Sequence, residues 1–128
     1  MRVCLLKSKI HRATVTDGDL KYEGSLTIAT DLMEKCGLVP YERILCSNMA
    51  NGNRFETYAI PGEAGQVQLN GAAARLVMPG NRVIVITYAD YEDAELEVFD
   101  PLVVHVDSRN RPTDPHLDAE LHGLTGQA

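Results

Sequence analysis

The dipeptide Gly24-Ser25, in the stretch KYEGSLTIAT, sets a nucleophilic hydroxyl directly after a carbonyl with no side chain beside it. A serine after a glycine is ordinarily a turn residue. A hydrolase elbow would need a further glycine two residues on, where this chain has Thr27. A second group of reactive side chains lies in NGNRFETYAI. Alternation along a strand puts Arg54, Glu56 and Tyr58 on one face and Phe55, Thr57 and Ala59 on the other. Such an arginine can grip a carboxylate with its two-pronged fork or stand solvated beside a turn. Lys9 and His11 share a side of the first strand by the same rule, which also describes a polar outer face. In NGAAARL, the small residues Gly71 to Ala74 after Asn70 allow two strands to approach closely, or leave backbone N–H groups open to a ligand.

These residues need a scaffold, and the patterning gives a mainly β one. VCLLKSKIHRATVT and GSLTIAT are rich in aliphatic and β-branched residues with polar ones interleaved, as in strands with one wet face. TDLMEKCGL predicts one short helix, with Thr30 or Asp31 as N-cap and Gly37 as the stop. Asn51-Gly52 between two alternating runs predicts a hairpin. NRVIVITYADY and PLVVHVD supply later strands, after a turn at Met78 to Asn81. Several short strands with little helix to cover a parallel sheet indicate a small closed β-barrel. The domain is expected to span residues 1–107. From Ser108 the prolines and polar residues without a sustained period predict a flexible tail over 108–128.

Composition narrows the function. The 128 residues carry 12 Lys and Arg against 18 Asp and Glu, a net charge of −6, which disfavours phosphate backbones and anionic lipid. Neither a nucleic acid nor a membrane is expected as partner, and the location is expected to be cytoplasmic, since Val3 to Leu6 is far too short for a signal or span. Cys4, Cys36 and Cys46 show no CxxC spacing and are expected to be buried thiols, and the four histidines are scattered, so no metal site is expected. No GK[ST] loop is present for a nucleotide.

In order, KSKIHRATVT, YEGS, NGNRFETYAI and LNGAAARLV resemble the pyruvoyl-dependent aspartate 1-decarboxylases, from the first strand to about Asn110. That resemblance implies a double-psi β-barrel, assembled as a homotetramer with active sites between subunits. It implies that the chain cuts itself between Gly24 and Ser25 into a β chain of 1–24 and an α chain of 25–128, leaving a pyruvoyl group at residue 25. That group, with neither a metal nor pyridoxal phosphate, would form a Schiff base with L-aspartate, which loses CO2 to give β-alanine for pantothenate and coenzyme A synthesis.

The roles implied by the motifs follow. Tyr58 resembles the proton donor, since a phenol keeps its proton at neutral pH. Lys9 and Arg54 resemble the ligands of the substrate carboxylates, and Gly71, Ala72 and Ala73, with Thr57, line the pocket. Thr57 resembles the oxyanion partner in self-cleavage, with Gly24, Asn70, His11 and Tyr22 near the processing bond. Some family members use a helper protein for maturation. A reading from another class is a noncatalytic barrel that binds a small carboxylate, which predicts ligand binding indifferent to Ser25→Ala.

Overall fold

The computed structural model describes residues 1–20 and 24–113. Nine strands follow in order: β1 (Arg2–Thr14), β2 (Asp17–Asp19), β3 (Ser25–Ala29), β4 (Arg43–Asn48), β5 (Arg54–Gly62), β6 (Val67–Asn70), β7 (Arg82–Glu92), β8 (Leu102–Val106) and β9 (Pro112–Thr113). One helix, α1 (Thr30–Cys36), and two 3-10 helices, Gly71–Arg75 and Asp93–Val98, complete the described chain. The strands form a single sheet in the order β2-β6-β3-β5-β4-β7-β1-β8-β9.

The sheet curls around one apolar core. β1 is long enough to serve two partners, antiparallel to β7 and parallel to β8. Its register with β7 shifts between Leu6 and Ser8 and again between Ile10 and Ala13. Arg12 takes a left-handed φ of 68° in the second irregularity, the kind of extra residue that bends a strand and increases its twist. Leu26, Ile28, Leu69, Ile44, Val83 and Ile10 meet inside and are essentially inaccessible to water.

The architecture is mainly β and consistent with a small β-barrel, but no continuous ladder closes the sheet, whose ends are β2 and β9. A side chain ties its two ends instead. Asn110, buried and at φ 62°, donates from Nδ2 to the carbonyls of Thr14 (2.8 Å) and Gly65 (2.9 Å) and accepts from the Thr14 amide. The turn between β8 and β9 is thereby fastened both to β1 and to the loop entering β6. Asparagine suits the position because it tolerates the left-handed region and its amide can both give and receive.

Several expectations hold in position and differ in form. The hairpin at Asn51-Gly52 joins β4 to β5, with Gly52 at φ 77°. Gly37 stops α1 at φ 66°, as expected. The N-cap is Ala29, without a side-chain cap, because the Thr30 hydroxyl donates to the Gly62 carbonyl (2.9 Å) and so ties the helix to the end of β5. GAAAR is a 3-10 helix, not a close strand pair, since Gly71 turns the chain out of β6 at φ 70°. β3 lacks the expected wet face: all five of its residues are buried, between β5 and β6. Of the cysteines, Cys36 and Cys46 are buried but Cys4 is exposed. Of the segment from Ser108 expected as a tail, the residues up to Thr113 form a turn and β9, while 114–128 lie outside the described residues.

Candidate active site

Ser25 opens β3, and its polar environment comes from β6. The two strands run antiparallel with Ser25 opposite Asn70 and Thr27 opposite Gln68. Period-2 alternation puts Ser25, Thr27, Gln68 and Asn70 on one face, while Leu26, Ile28, Val67 and Leu69 point into the core. Asn70 Nδ2 donates to Ser25 Oγ at 2.8 Å and to Thr27 Oγ1 at 2.9 Å. Its Oδ1 accepts from Gln68 Nε2 at 2.8 Å. Ser25 is wholly inaccessible and Asn70 nearly so, so these bonds are formed where water does not compete. Asn70 heads the 3-10 helix without capping it, and its side chain is directed to the serine instead.

β5 flanks β3 on the other side, in parallel, with Leu26 opposite Ala59 and Thr27 opposite Ile60. Carried one residue back to the start of β3, that register sets Ser25 level with Tyr58 on the neighbouring strand. Tyr58 therefore shares the serine's face, and Thr57 precedes it on β5. The Tyr58 ring packs against Tyr41, their centroids 5.8 Å apart. Tyr41 is 75% exposed and held at a φ of 71°, an uncommon conformation for a bulky residue, with its amide donating to the Ala59 carbonyl at 2.7 Å.

Gly24 itself is exposed, and a Cβ built there meets nothing within 4 Å. Glycine thus leaves the carbonyl before Ser25 unshielded.

The other expected site residues lie farther along the ladder. Arg54 is four residues from Tyr58 on β5, about 13 Å by strand rise. Lys9, on β1, is separated from β3 by β7, β4 and β5. Neither forms an ion pair with another described residue, whereas Lys7 is bound to Glu42 (2.8 Å) and Arg43 to Glu56 (2.5 Å). His11 is opposite His105 across β1 and β8, with ring centroids 5.1 Å apart, a pairing hidden by their distance in sequence. Gly71 is buried and Ala72 exposed, directly after Asn70. Tyr22 falls outside the described residues. Among the described residues there is no cluster of three or more His, Cys, Asp or Glu side chains suited to a metal, and no helix long and apolar enough to cross a membrane.

Sequence reading missed Thr27, Gln66 and Gln68. The i, i+2, i+4 spacing of Gln66, Gln68 and Asn70, just before and along β6, was the available signal. Gly62 was also missed: a Cβ there would come within 2.5 Å of both Thr27 Cγ2 and Gln66 Oε1.

The molecule is thus a small mainly β domain whose polar site is built into a strand pair of its sheet, with a buried serine directly after Gly24. Comparison with known proteins supplies the family: the family model described as aspartate decarboxylase matches residues 1–113, and the chain belongs to that family. It is 51% identical over 122 residues to the aspartate 1-decarboxylase of Prosthecochloris aestuarii, covering 94% of this chain and 95% of the relative. It is 50% identical over the same length to that of Chlorobium chlorochromatii, with the same coverage. The enzyme of the same name from Chloroherpeton thalassium is 53% identical over 114 residues, 88% of this chain and 84% of the relative.

Proposed function

We propose that this protein is a self-processing decarboxylase that converts L-aspartate to β-alanine and CO2. The observation that carries the reading is the Ser25 hydroxyl, buried directly after an exposed glycine and held by the Asn70 amide. Family membership and half-identical relatives named aspartate 1-decarboxylase support the substrate.

Self-processing starts with attack of Ser25 Oγ on the Gly24 carbonyl carbon. The C–N bond breaks, the hydroxyl proton passes to the nitrogen, and an ester forms. Removal of the residue-25 α-proton then breaks the Cβ–Oγ bond, so Gly24 leaves as a free carboxylate. Water replaces the remaining nitrogen, which departs as ammonia, and residue 25 becomes a pyruvoyl group with no external oxidant. An N–H donated to Oγ serves twice: it fixes the attacking oxygen, and it stabilises the charge that develops there when the ester is eliminated. Thr57, next to Tyr58 on β5, is the hydroxyl for the oxyanion of the first step.

A pyruvoyl ketone at residue 25 would condense with an amine and withdraw electrons from it, a capacity no side chain offers. Its surroundings fit, since Asn70 donates both to position 25 and to Thr27 on the same face, and Tyr58 is on the neighbouring strand. Tyr58 donates the proton that replaces the lost carboxylate. Lys9 and Arg54, free of ion pairs with other described residues, bind the substrate carboxylates, and Gly71, Ala72 and Ala73 frame the pocket. The separation of Lys9 from Ser25 along the ladder supports a site completed by a neighbouring subunit, and membership of the family supports a homotetramer in the cytoplasm.

Denaturing mass spectrometry of the purified protein tests the reading. Fragments of 1–24 and 25–128 are expected, the larger reactive toward hydrazine. A chain that stays whole through long warm incubation would refute it.

A further inference from the structure

The hydrogen bond that holds Ser25 is the last in a chain of amides along one face of β6. The Glu63 backbone N–H donates to Gln66 Oε1 at 2.9 Å. Gln66 Nε2 donates to Gln68 Oε1 at 3.2 Å, and Gln68 Nε2 donates to Asn70 Oδ1 at 2.8 Å. Asn70 Nδ2 then donates to both Ser25 Oγ and Thr27 Oγ1. A backbone N–H can only give, so it fixes the carbonyl end of Gln66 toward itself. Each amide downstream must follow the same direction, and Asn70 is left with its NH2 toward the serine. Without that bias the Asn70 amide could turn over, since hydroxyls accept or donate equally well, and its carbonyl would then take the Ser25 proton and redirect Oγ.

We infer that Gln68, backed by Gln66, is a positioning residue that sets the direction of the Asn70 amide and so readies Ser25 Oγ for attack on Gly24. The inference rests on the self-cleavage reading above. Close packing holds the relay in place, since Gly62 leaves only enough room for Thr27 and Gln66.

The discriminating variant is Gln68→Glu. It keeps an oxygen to accept from Gln66 Nε2, but at neutral pH it has no proton to give Asn70 Oδ1, and its charge attracts the Asn70 NH2 away from Ser25. Protonation restores a donor. Cleavage at Gly24-Ser25 is followed by denaturing mass spectrometry across pH for wild type, Gln68→Glu, Gln68→Leu and Asn70→Ala, with circular dichroism to confirm folding. At neutral pH, Gln68→Glu is expected to cleave about tenfold more slowly than wild type, the scale of losses from removing a partner that orients a reactive ligand. The ratio should recover toward one on acidification through the carboxylate range, with no such recovery in Gln68→Leu. A misfolded variant would not be rescued by a proton.

If wild type cleaves and Gln68→Glu keeps pace with it at neutral pH, or lags by a ratio that pH does not change, the positioning role is wrong. Normal cleavage by Asn70→Ala would also overturn it, because the relay would have nothing to act through. An intact wild-type chain would instead bring down the self-cleavage reading, and this inference with it.

Discussion

Glu42 lies between the fold and the site, and removing its charge gives a pH-dependent prediction. Its carboxylate accepts from Lys7 Nζ (2.8 and 2.9 Å), from the Thr87 hydroxyl (2.9 Å) and from the Val39 amide (3.1 Å). Both charged side chains are largely shielded, at 16% exposure for Glu42 and 30% for Lys7. The same residue's backbone carbonyl accepts from Ala59, next to Tyr58, so this corner carries Tyr41 onto the Tyr58 ring. Burial pushes the Glu42 carboxyl upward, but the bonds from Lys7, Val39 and Thr87 together with the Lys7 charge outweigh it, and the net shift is downward.

A lowered carboxyl adds stability at pH above its unfolded value, near 4.3 for a glutamate, and that contribution is lost as pH falls through the folded value. Glu42→Gln keeps the shape and one acceptor but loses the ion pair. A hydrogen bond to a charged group contributes about 1.5–3 kcal/mol, and residual solvent screening brings the expected loss to about 1–2 kcal/mol at pH 7. Urea unfolding of both proteins at equal protomer concentration should show this difference at neutral pH and its shrinkage below about pH 4. Burial pushes Asp107 upward too, but the bonds from the Arg111 amide and side chain and the Arg109 amide, with the Arg111 charge, together outweigh it and lower it; this group is common to both proteins and cancels. Equal stability at pH 7, or a gap that persists undiminished in acid, would refute the account.

Tyr58→Phe should self-cleave normally yet decarboxylate about 100-fold more slowly, measured as β-alanine release; turnover equal to wild type would remove Tyr58 as proton donor. Gly62→Ala drives a methyl into Thr27 and Gln66, so a loss of about 1–3 kcal/mol on thermal unfolding and slower cleavage are expected, and an unperturbed protein would contradict the packing. Burial pushes the thiols of Cys36 and Cys46 up to about 12, while Cys4 is exposed. Native alkylation at neutral pH should therefore add one label to the subunit and three after denaturation; rapid labelling at a second native site would show that the core is open. Thr57→Val should slow cleavage about 100-fold through loss of an oxyanion donor, and normal processing would withdraw that role.

Local chemistry was legible in the chain. Gly37 could end α1 because a left-handed residue is needed there, and Asn51-Gly52 could join β4 to β5 for the same reason. The Gly24-Ser25 bond and the alternating face of Arg54 and Tyr58 were visible as residue types at fixed spacing. The partners of those residues were not. Asn70 is 45 positions from Ser25, and which of its amide ends meets the hydroxyl depends on Gln68, Gln66 and a backbone N–H beyond them. Likewise, only the pairing of β1 with β8 brings His11 against His105, and only the placement of β3 between β5 and β6 buries its polar residues as well as its apolar ones. Periodicity within a strand fixes which side chains share a face. The neighbour across that face is chosen by the register between distant strands, which is set when the whole core packs and one slip would expose it.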